Sequence, residues 1–219
     1  MIKHIFFDLD GTVVDSAESI SWTFMQVGND LTGKNITQEE IIPILGGFRL
    51  YVFQDLYGLE GEELKEAQRR YGELLQEAGL KREKLFPGMV ALLEDLQQRG
   101  YALHINSARP ATGSMRSLEL HQLTGYFTHV IGPDSRYHES KGQVFGCNMR
   151  DLGIDPKEAL MVGDMVTDIE AAKVCGVPSI ALTFGFGKKE DMEGTGADYL
   201  AHSVPELVTV LNRVLAEEE

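Results

Sequence analysis

Apolar residues along this chain come in short runs, and the runs alternate with stretches of helical period. "HIFF" (4–7), "ALHIN" (102–106), "THVIG" (128–132), "ALMVG" (159–163) and "SIALT" (179–183) each read as a buried strand. Between them, "MVALLEDLQQRG", "KGQVFGCNMRDLG" and "TDIEAAKVCG" carry helical patterns. Strands that alternate with helices imply crossover connections and a mostly parallel sheet. The punctuation agrees. Thr167 with Glu170 has the spacing of a capping box, Gly176 stands where a helix ends, and Pro178 follows it. Ser203 with Glu206 gives a second box at the start of the last helix.

One segment breaks the alternation. From about Ser16 to Phe86 no strand of comparable strength occurs, and "SAESISWTFMQVGNDL", "TQEEIIPIL", "FRLYVFQDLYG" and "EELKEAQRRYGELLQEAG" all read as helices, with Thr37 and Glu40 as a further capping box. "LFPGM" returns the chain to the alternating pattern. The expected architecture is α/β: a Rossmann-like core with a mostly parallel sheet, residues 1–15 and 87–219, interrupted by an all-helical insert at 16–86.

Composition narrows the function classes. Apolar residues make up 43% and charged residues 25% of the 219, ordinary values for a globular protein. The formal net charge of −14 argues against general nucleic-acid binding, which needs a basic footprint. No apolar run approaches the roughly 18 residues that a membrane span needs. The start "MIKHIFFDLD" reads as a strand rather than a signal peptide, because its apolar stretch is short and ends in acid. Two cysteines, Cys147 and Cys175, are too few for a disulfide framework and read as small buried thiols on helices. These features together give the expectation of a cytoplasmic protein without nucleic-acid or membrane partners.

The candidate chemistry lies at the strand ends, where open parallel sheets bind ligands. Asp8 and Asp10 follow the first strand, Ser107 follows the second, Gly163 and Asp164 follow "ALMV", and Asp168 falls in the next helical turn. Lys141 opens the preceding helix. Charges placed so near a buried strand are costly unless something pairs them. A divalent cation would explain how Asp8, Asp164 and Asp168 share a site, and clustered carboxylates suit Mg²⁺. Ser107 and Lys141 can hold phosphate oxygens, and the backbone around Gly11 can present N–H groups to an anion. One front aspartate can be the nucleophile and the other a general acid and base, because residues two apart in an extended chain point the same way. His104 lies inside a strand pattern and packs there. Arg49, in "GGFRLYVF", is a candidate substrate contact, with Arg109 beside Ser107 as its replacement.

These residues carry a resemblance. "FFDLDGTVVDS" resembles the first motif of the haloacid dehalogenase-like hydrolases, "HINSARP" is similar to the second, Lys141 fits the third, and "LMVGDMVTDIEAAKVCG" is similar to the fourth. The helical insert resembles the family's C1 cap, and "LTFGFGKKED" with "ADYLAHSVPEL" resembles the closing region of its phosphoglycolate phosphatase-like branch. The resemblance implies Asp8 as nucleophile and Mg²⁺ ligand. It implies Asp10 as acid and base with its carbonyl on the metal, and Thr12 as support for the Asp10 turn within the phosphate-binding loop. It further implies Ser107 and Lys141 as phosphate binders, and Asp164 and Asp168 as metal-site carboxylates. The implied activity is Mg²⁺-dependent hydrolysis of a small phosphorylated metabolite. A phosphosugar mutase, a phosphonate hydrolase and a non-catalytic phosphometabolite-binding protein stand as alternatives. The sequence departs from the family's usual pattern at Ala108-Arg109 and after Lys141, where Gly142-Gln143-Val144 stands.

Overall fold

The apolar runs become strands lying side by side in one sheet. The computed structural model describes residues 1–45, 51–133 and 141–216. The chain runs β1 (His4–Phe7), β2 (Val14–Asp15), α1 (Ala17–Thr32), α2 (Gln38–Ile41), α3 (Val52–Asp55), α4 (Gly61–Leu74), β3 (Lys84–Leu85), α5 (Met89–Gln98), β4 (Ala102–Asn106), α6 (Ala111–Leu120) and β5 (Phe127–Ile131). It continues through α7 (Lys141–Asp151), β6 (Ala159–Gly163), α8 (Val166–Cys175), β7 (Ser179–Leu182), α9 (Lys189–Gly194), β8 (Tyr199–Ala201) and α10 (Val204–Ala216). Two compact units result, Met1–Val14 with Leu85–Glu219, and Asp15–Lys84. The chain passes between them at β2 and β3, which pair as a two-stranded ribbon.

The first unit holds a six-stranded sheet in the order β5-β4-β1-β6-β7-β8, with every pair parallel. The strand sequence reverses at β1, so β1 is flanked by β4 and β6 and marks the switch point of a doubly wound sheet. Both faces are covered, which is why β6 and β7 are buried at every residue and read as continuous apolar runs. On one face Ile5, Phe7, Leu103 and Ile105 pack with Leu92, Leu93 and Leu96 of α5 and Leu207 and Leu211 of α10. On the other, Phe6 and Met161 pack with Val144, Phe145 and Met149 of α7 and Ala171 and Ala172 of α8. β8 has only three residues, too short a signal for the apolar pattern to mark.

The second unit is helical apart from its strand ends. Phe24 of α1 stacks on Tyr71 of α4 and meets Phe53 of α3 edge-on. Gly28 gives the Tyr57 ring its place, since a Cβ there would come within 2.2 Å of it. The Thr37–Glu40 capping box is present, with the Thr37 N–H donating to Glu40 at 2.9 Å. Arg49 lies outside the described residues.

Two helix starts refine the sequence reading. Ser203 caps α10, its hydroxyl accepting from the Glu206 N–H at 3.3 Å, as its spacing predicts. The Thr167–Glu170 box does not form the start of α8. The helix begins at Val166, and Asp168 takes the Met165 N–H at 2.9 Å, so an acid one turn in satisfies the free end instead. Gly176 ends α8 in the left-handed conformation, φ 69°.

Candidate active site

Strand β1 stops at Phe7, and a turn carries the chain past Asp8 and Asp10 at its carboxyl end. The two aspartates therefore do not continue one extended strand, and different cations hold them. The Asp8 Oδ1 accepts from the Lys141 ammonium at 2.7 Å, and the same ammonium pairs with Asp168. Asp10 is instead gripped by Arg109, whose Nε donates to Oδ2 at 3.2 Å and whose Nη2 pairs with Oδ1. Asp164, at the end of β6, receives the Thr12 hydroxyl at 2.8 Å and the Phe186 N–H at 2.8 Å. All four carboxylates are buried, Asp164 and Asp168 completely.

The elements explain the convergence. β1 and β6 are neighbours, so their carboxyl ends bring Asp8 beside Asp164. α8 follows β6 and points its first turn back at the same place, and α7 presents Lys141 as its first residue. Glycines make the close approach feasible. A Cβ on Gly11, which has φ +85°, would stand 2.2 Å from Asp164, one on Gly185 would stand 2.3 Å from it, and one on Gly163 would stand 2.4 Å from Asp168.

Two expectations meet a different geometry. Thr12 spends its hydroxyl on Asp164, and the Gly11 N–H donates to the Val14 carbonyl at 2.8 Å rather than facing an open anion site. Ser107 directly follows β4, its N–H on the Ile131 carbonyl at 2.9 Å, and its hydroxyl accepts from the Arg109 N–H at 3.1 Å. Gly185 and the Phe186 N–H were not legible as site elements, because a backbone amide leaves no side-chain signature. The Arg109–Asp10 pair was not legible either, with 99 residues between its members. Cys147 and Cys175 are half-buried rather than enclosed, because the α7–α8 face that carries them reaches the surface.

The electrostatics are strained in a consistent direction. Burial pushes Asp164 up to about 8, helped by Asp8 and Asp168 and opposed by the Phe186 and Thr12 donors. Burial pushes Asp8 up to about 6, with Asp168 adding and Lys141 opposing. Burial also works against the Lys141 charge, but Asp168 and Asp8 more than offset it and its pKa rises. Asp8, Asp164 and Asp168 offer ligand oxygens that all lie within 4.8 Å of one another. Among these six ionisable side chains four are acidic and two basic. Hard oxygen donors with surplus negative charge fit a divalent cation such as Mg²⁺. Among the described residues no helix is long and apolar enough to cross a membrane.

Fold and site define a Rossmann-like α/β protein with a polar centre at the switch point of its sheet. The family model described as haloacid dehalogenase-like hydrolase matches residues 5–182. A phosphoglycolate phosphatase of Aliivibrio fischeri is 31% identical over 96% of this chain and 97% of its own. One from Vibrio vulnificus is 30% identical over 96% of each chain. The crystal structure of a predicted phosphatase from Clostridium acetobutylicum superposes with a TM-score of 0.88 at 28% identity, covering 97% of this chain and 99% of that one. The chain belongs to the haloacid dehalogenase-like hydrolases, in their phosphoglycolate phosphatase-like branch, and is a phosphoric monoester hydrolase by class.

Proposed function

We propose that this protein is a Mg²⁺-dependent phosphatase that hydrolyses a small phosphorylated metabolite, a phosphoglycolate-like phosphomonoester, through an aspartyl-phosphate. The observation that carries the reading is the buried Lys141 ammonium between Asp8 and Asp168, with Asp164 alongside, at the carboxyl ends of β1 and β6. A structural role alone gives poor reason to bury surplus carboxylates. Asp8, Asp164, Asp168 and the Asp10 carbonyl would hold the Mg²⁺. The ion, when bound, neutralises carboxylate charge and draws electron density from phosphoryl oxygens.

The chain's own groups do the rest. Lys141 and the Ser107 hydroxyl bind phosphoryl oxygens and set the phosphorus in line with the Asp8 carboxylate. Arg109 donates its N–H to the Ser107 oxygen, which turns the hydroxyl hydrogen toward another acceptor. An Asp8 oxygen attacks phosphorus, the bond to the leaving oxygen breaks, and Asp10 gives that oxygen a proton. Asp10 then takes a proton from water as the water oxygen attacks phosphorus, which releases phosphate and restores Asp8. In this reading the helical unit is the family's cap.

The test is phosphate release across a panel of phosphorylated metabolites, with Mg²⁺ and with chelator. Asp8→Asn should remove nearly all turnover and every trace of acid-stable phosphoprotein, while Asp10→Asn should slow both formation and breakdown of the intermediate. An Asp8→Asn enzyme near the wild-type rate, or full activity in excess chelator, would refute the mechanism.

A further inference from the structure

The Phe186 amide that donates to Asp164 belongs to a stretch without regular structure, residues 183–187, between β7 and α9. Where the stretch leaves β7, the Thr183 N–H donates to the Ala201 carbonyl at 3.1 Å. Gly185 and Gly187 then let the backbone lie against Asp164. A Cβ on Gly187 would stand 2.2 Å from the Asp164 carbonyl oxygen and 2.8 Å from the Met192 sulfur. Such closeness admits the loop without gripping it, because a glycine has no side chain to pack. Phe184 supplies an anchor. Its half-buried ring meets the ring of Phe86 edge-on, with centroids 5.0 Å apart and planes at 74°, a favoured arrangement of two aromatic rings. Both rings pack on the apolar cluster that contains Phe7 and Leu103.

The place of Phe86 in the chain gives this contact its meaning. Phe86 directly follows β3, where the chain returns from the helical unit. Its carbonyl accepts from the Met89 N–H at 3.0 Å, so the start of α5 sets its backbone. β3 pairs with β2, and β2 leaves the turn that carries Asp8 and Asp10, where the Gly11 N–H donates to the Val14 carbonyl at 2.8 Å. One strand of the ribbon therefore leads out of the turn with Asp8 and Asp10. The other leads through Phe86 and Phe184 to the amide on Asp164. The hydrogen-bond partners of a metal-ligating carboxylate orient it, and disturbing them costs about 10- to 100-fold in metal affinity.

We propose that the Phe86–Phe184 ring pair positions the Phe186 amide on Asp164, and so makes the divalent-cation affinity of the carboxylate cluster depend on the return linker. The proposal rests on the reading of Asp8, Asp164 and Asp168 as a Mg²⁺ site. Phe86 and Phe184 are positioning residues, acting on the cation through the loop backbone. A linker displacement that parts the rings slackens the loop and weakens cation binding. By reciprocity, a bound cation that holds Asp164 favours the linker position in which the rings meet.

The experiment measures Mg²⁺ affinity by calorimetry, with thermal melting in chelator alongside. The proteins are the wild type, Phe86→Ala, Phe184→Ala, the double variant, Phe184→Leu and Val208→Ala. Val208 of α10 packs on the same apolar cluster and controls for lost packing alone. Phe86→Ala and Phe184→Ala should each raise the Mg²⁺ Kd about 10-fold. The double variant should be no worse than either, because each change removes the same contact. Phe184→Leu keeps apolar bulk and so spares the fold, and should raise Kd by a smaller factor, about 3-fold. Val208→Ala should lower the melting temperature and leave Kd within about 2-fold of the wild type. Kd values within about 2-fold of the wild type in the Phe86 and Phe184 variants would overturn the coupling while leaving the phosphatase reading intact. So would losses that multiply in the double variant, or a rise in Val208→Ala equal to theirs. A wild type that binds no Mg²⁺ would overturn both.

Discussion

Asp164 is the carboxylate for which the metal-free fold provides least, and Asp164→Asn turns that into a measurable slope. Its pKa stands at about 8 against an ordinary value of 3.8, chiefly through burial. Between those two values the unfolded chain has released this proton and the folded chain still holds it. Stability therefore falls as pH rises through that window, by about 1.4 kcal/mol per unit for one group. Asp8, raised to about 6, adds to the slope only up to that pH. From pH 6 to 8 the slope belongs to Asp164 alone of the two. The substitution keeps the shape: its carbonyl can accept the Phe186 N–H and its NH₂ can donate to the Thr12 hydroxyl oxygen, the arrangement a protonated Asp164 also takes. Any residual cost is the same at every pH and shifts the curve without tilting it. The expected signal is the tilt. In chelator, between pH 6 and 8, the wild type should lose about 2 kcal/mol relative to Asp164→Asn, or roughly 4–8 °C in melting temperature for a chain of this size. Mg²⁺ favours the charged carboxylates, so it should raise the wild-type melting temperature more at pH 8 than at pH 6 and do little for the variant. Melting curves by circular dichroism across that range decide it. Parallel curves for the two proteins in chelator would refute the reasoning.

Two further outcomes follow from the packing. Gly185→Ala would put a methyl group 2.3 Å from an Asp164 oxygen, forcing that carboxylate off the Phe186 N–H; Mg²⁺ affinity by calorimetry should drop about 10- to 100-fold, and an unchanged affinity would remove Gly185 from the site. His104, stacked on Phe6 with ring centroids 4.5 Å apart, is lowered to about 3 by burial and by the charges of His4 and His129, so its contribution is intact above pH 6.5 and lost as pH falls from there toward 3. His104→Phe should flatten the acid side of the stability curve by about 1 kcal/mol per pH unit, and an acid limb as steep as the wild type's would count against it.

How much of this was legible in the sequence follows from what each feature leaves in side-chain order. β6 and β7 were legible because a parallel strand covered on both faces must be apolar throughout, and "ALMVG" and "SIAL" are. β8 was not, because three residues at the sheet's edge carry too little pattern. The capping rule placed α8 nearly right but chose Thr167, since it counts side-chain types and cannot foresee that Asp168 serves the helix end itself. The same limit explains the front pair. Treating Asp8 and Asp10 as alternate residues of one strand assumes that the strand continues, whereas it ends at Phe7 and the pair diverges to Lys141 and Arg109. Local spacing could nominate these acids; only the sheet order, which sets β4 and β6 on either side of β1, determines which cation each one meets.

That allocation accounts for the order of the pKa shifts. Asp8 and Asp164 are both buried and both repelled by Asp168, and Asp164 by Asp8 as well, and one stands at about 6 and the other at about 8. The difference lies in their partners. Asp8 has an ammonium at 2.7 Å, whose charge directly offsets the cost of leaving water. Asp164 has a hydroxyl and a backbone amide, dipoles that satisfy its oxygens without supplying a charge. Hydrogen bonding and charge balance are separate requirements of a buried carboxylate, and the fold meets the first at Asp164 while leaving the second open. A cation added to this cluster therefore gains most beside Asp164, and the glycines at 11 and 185 hold that side chain in place for it.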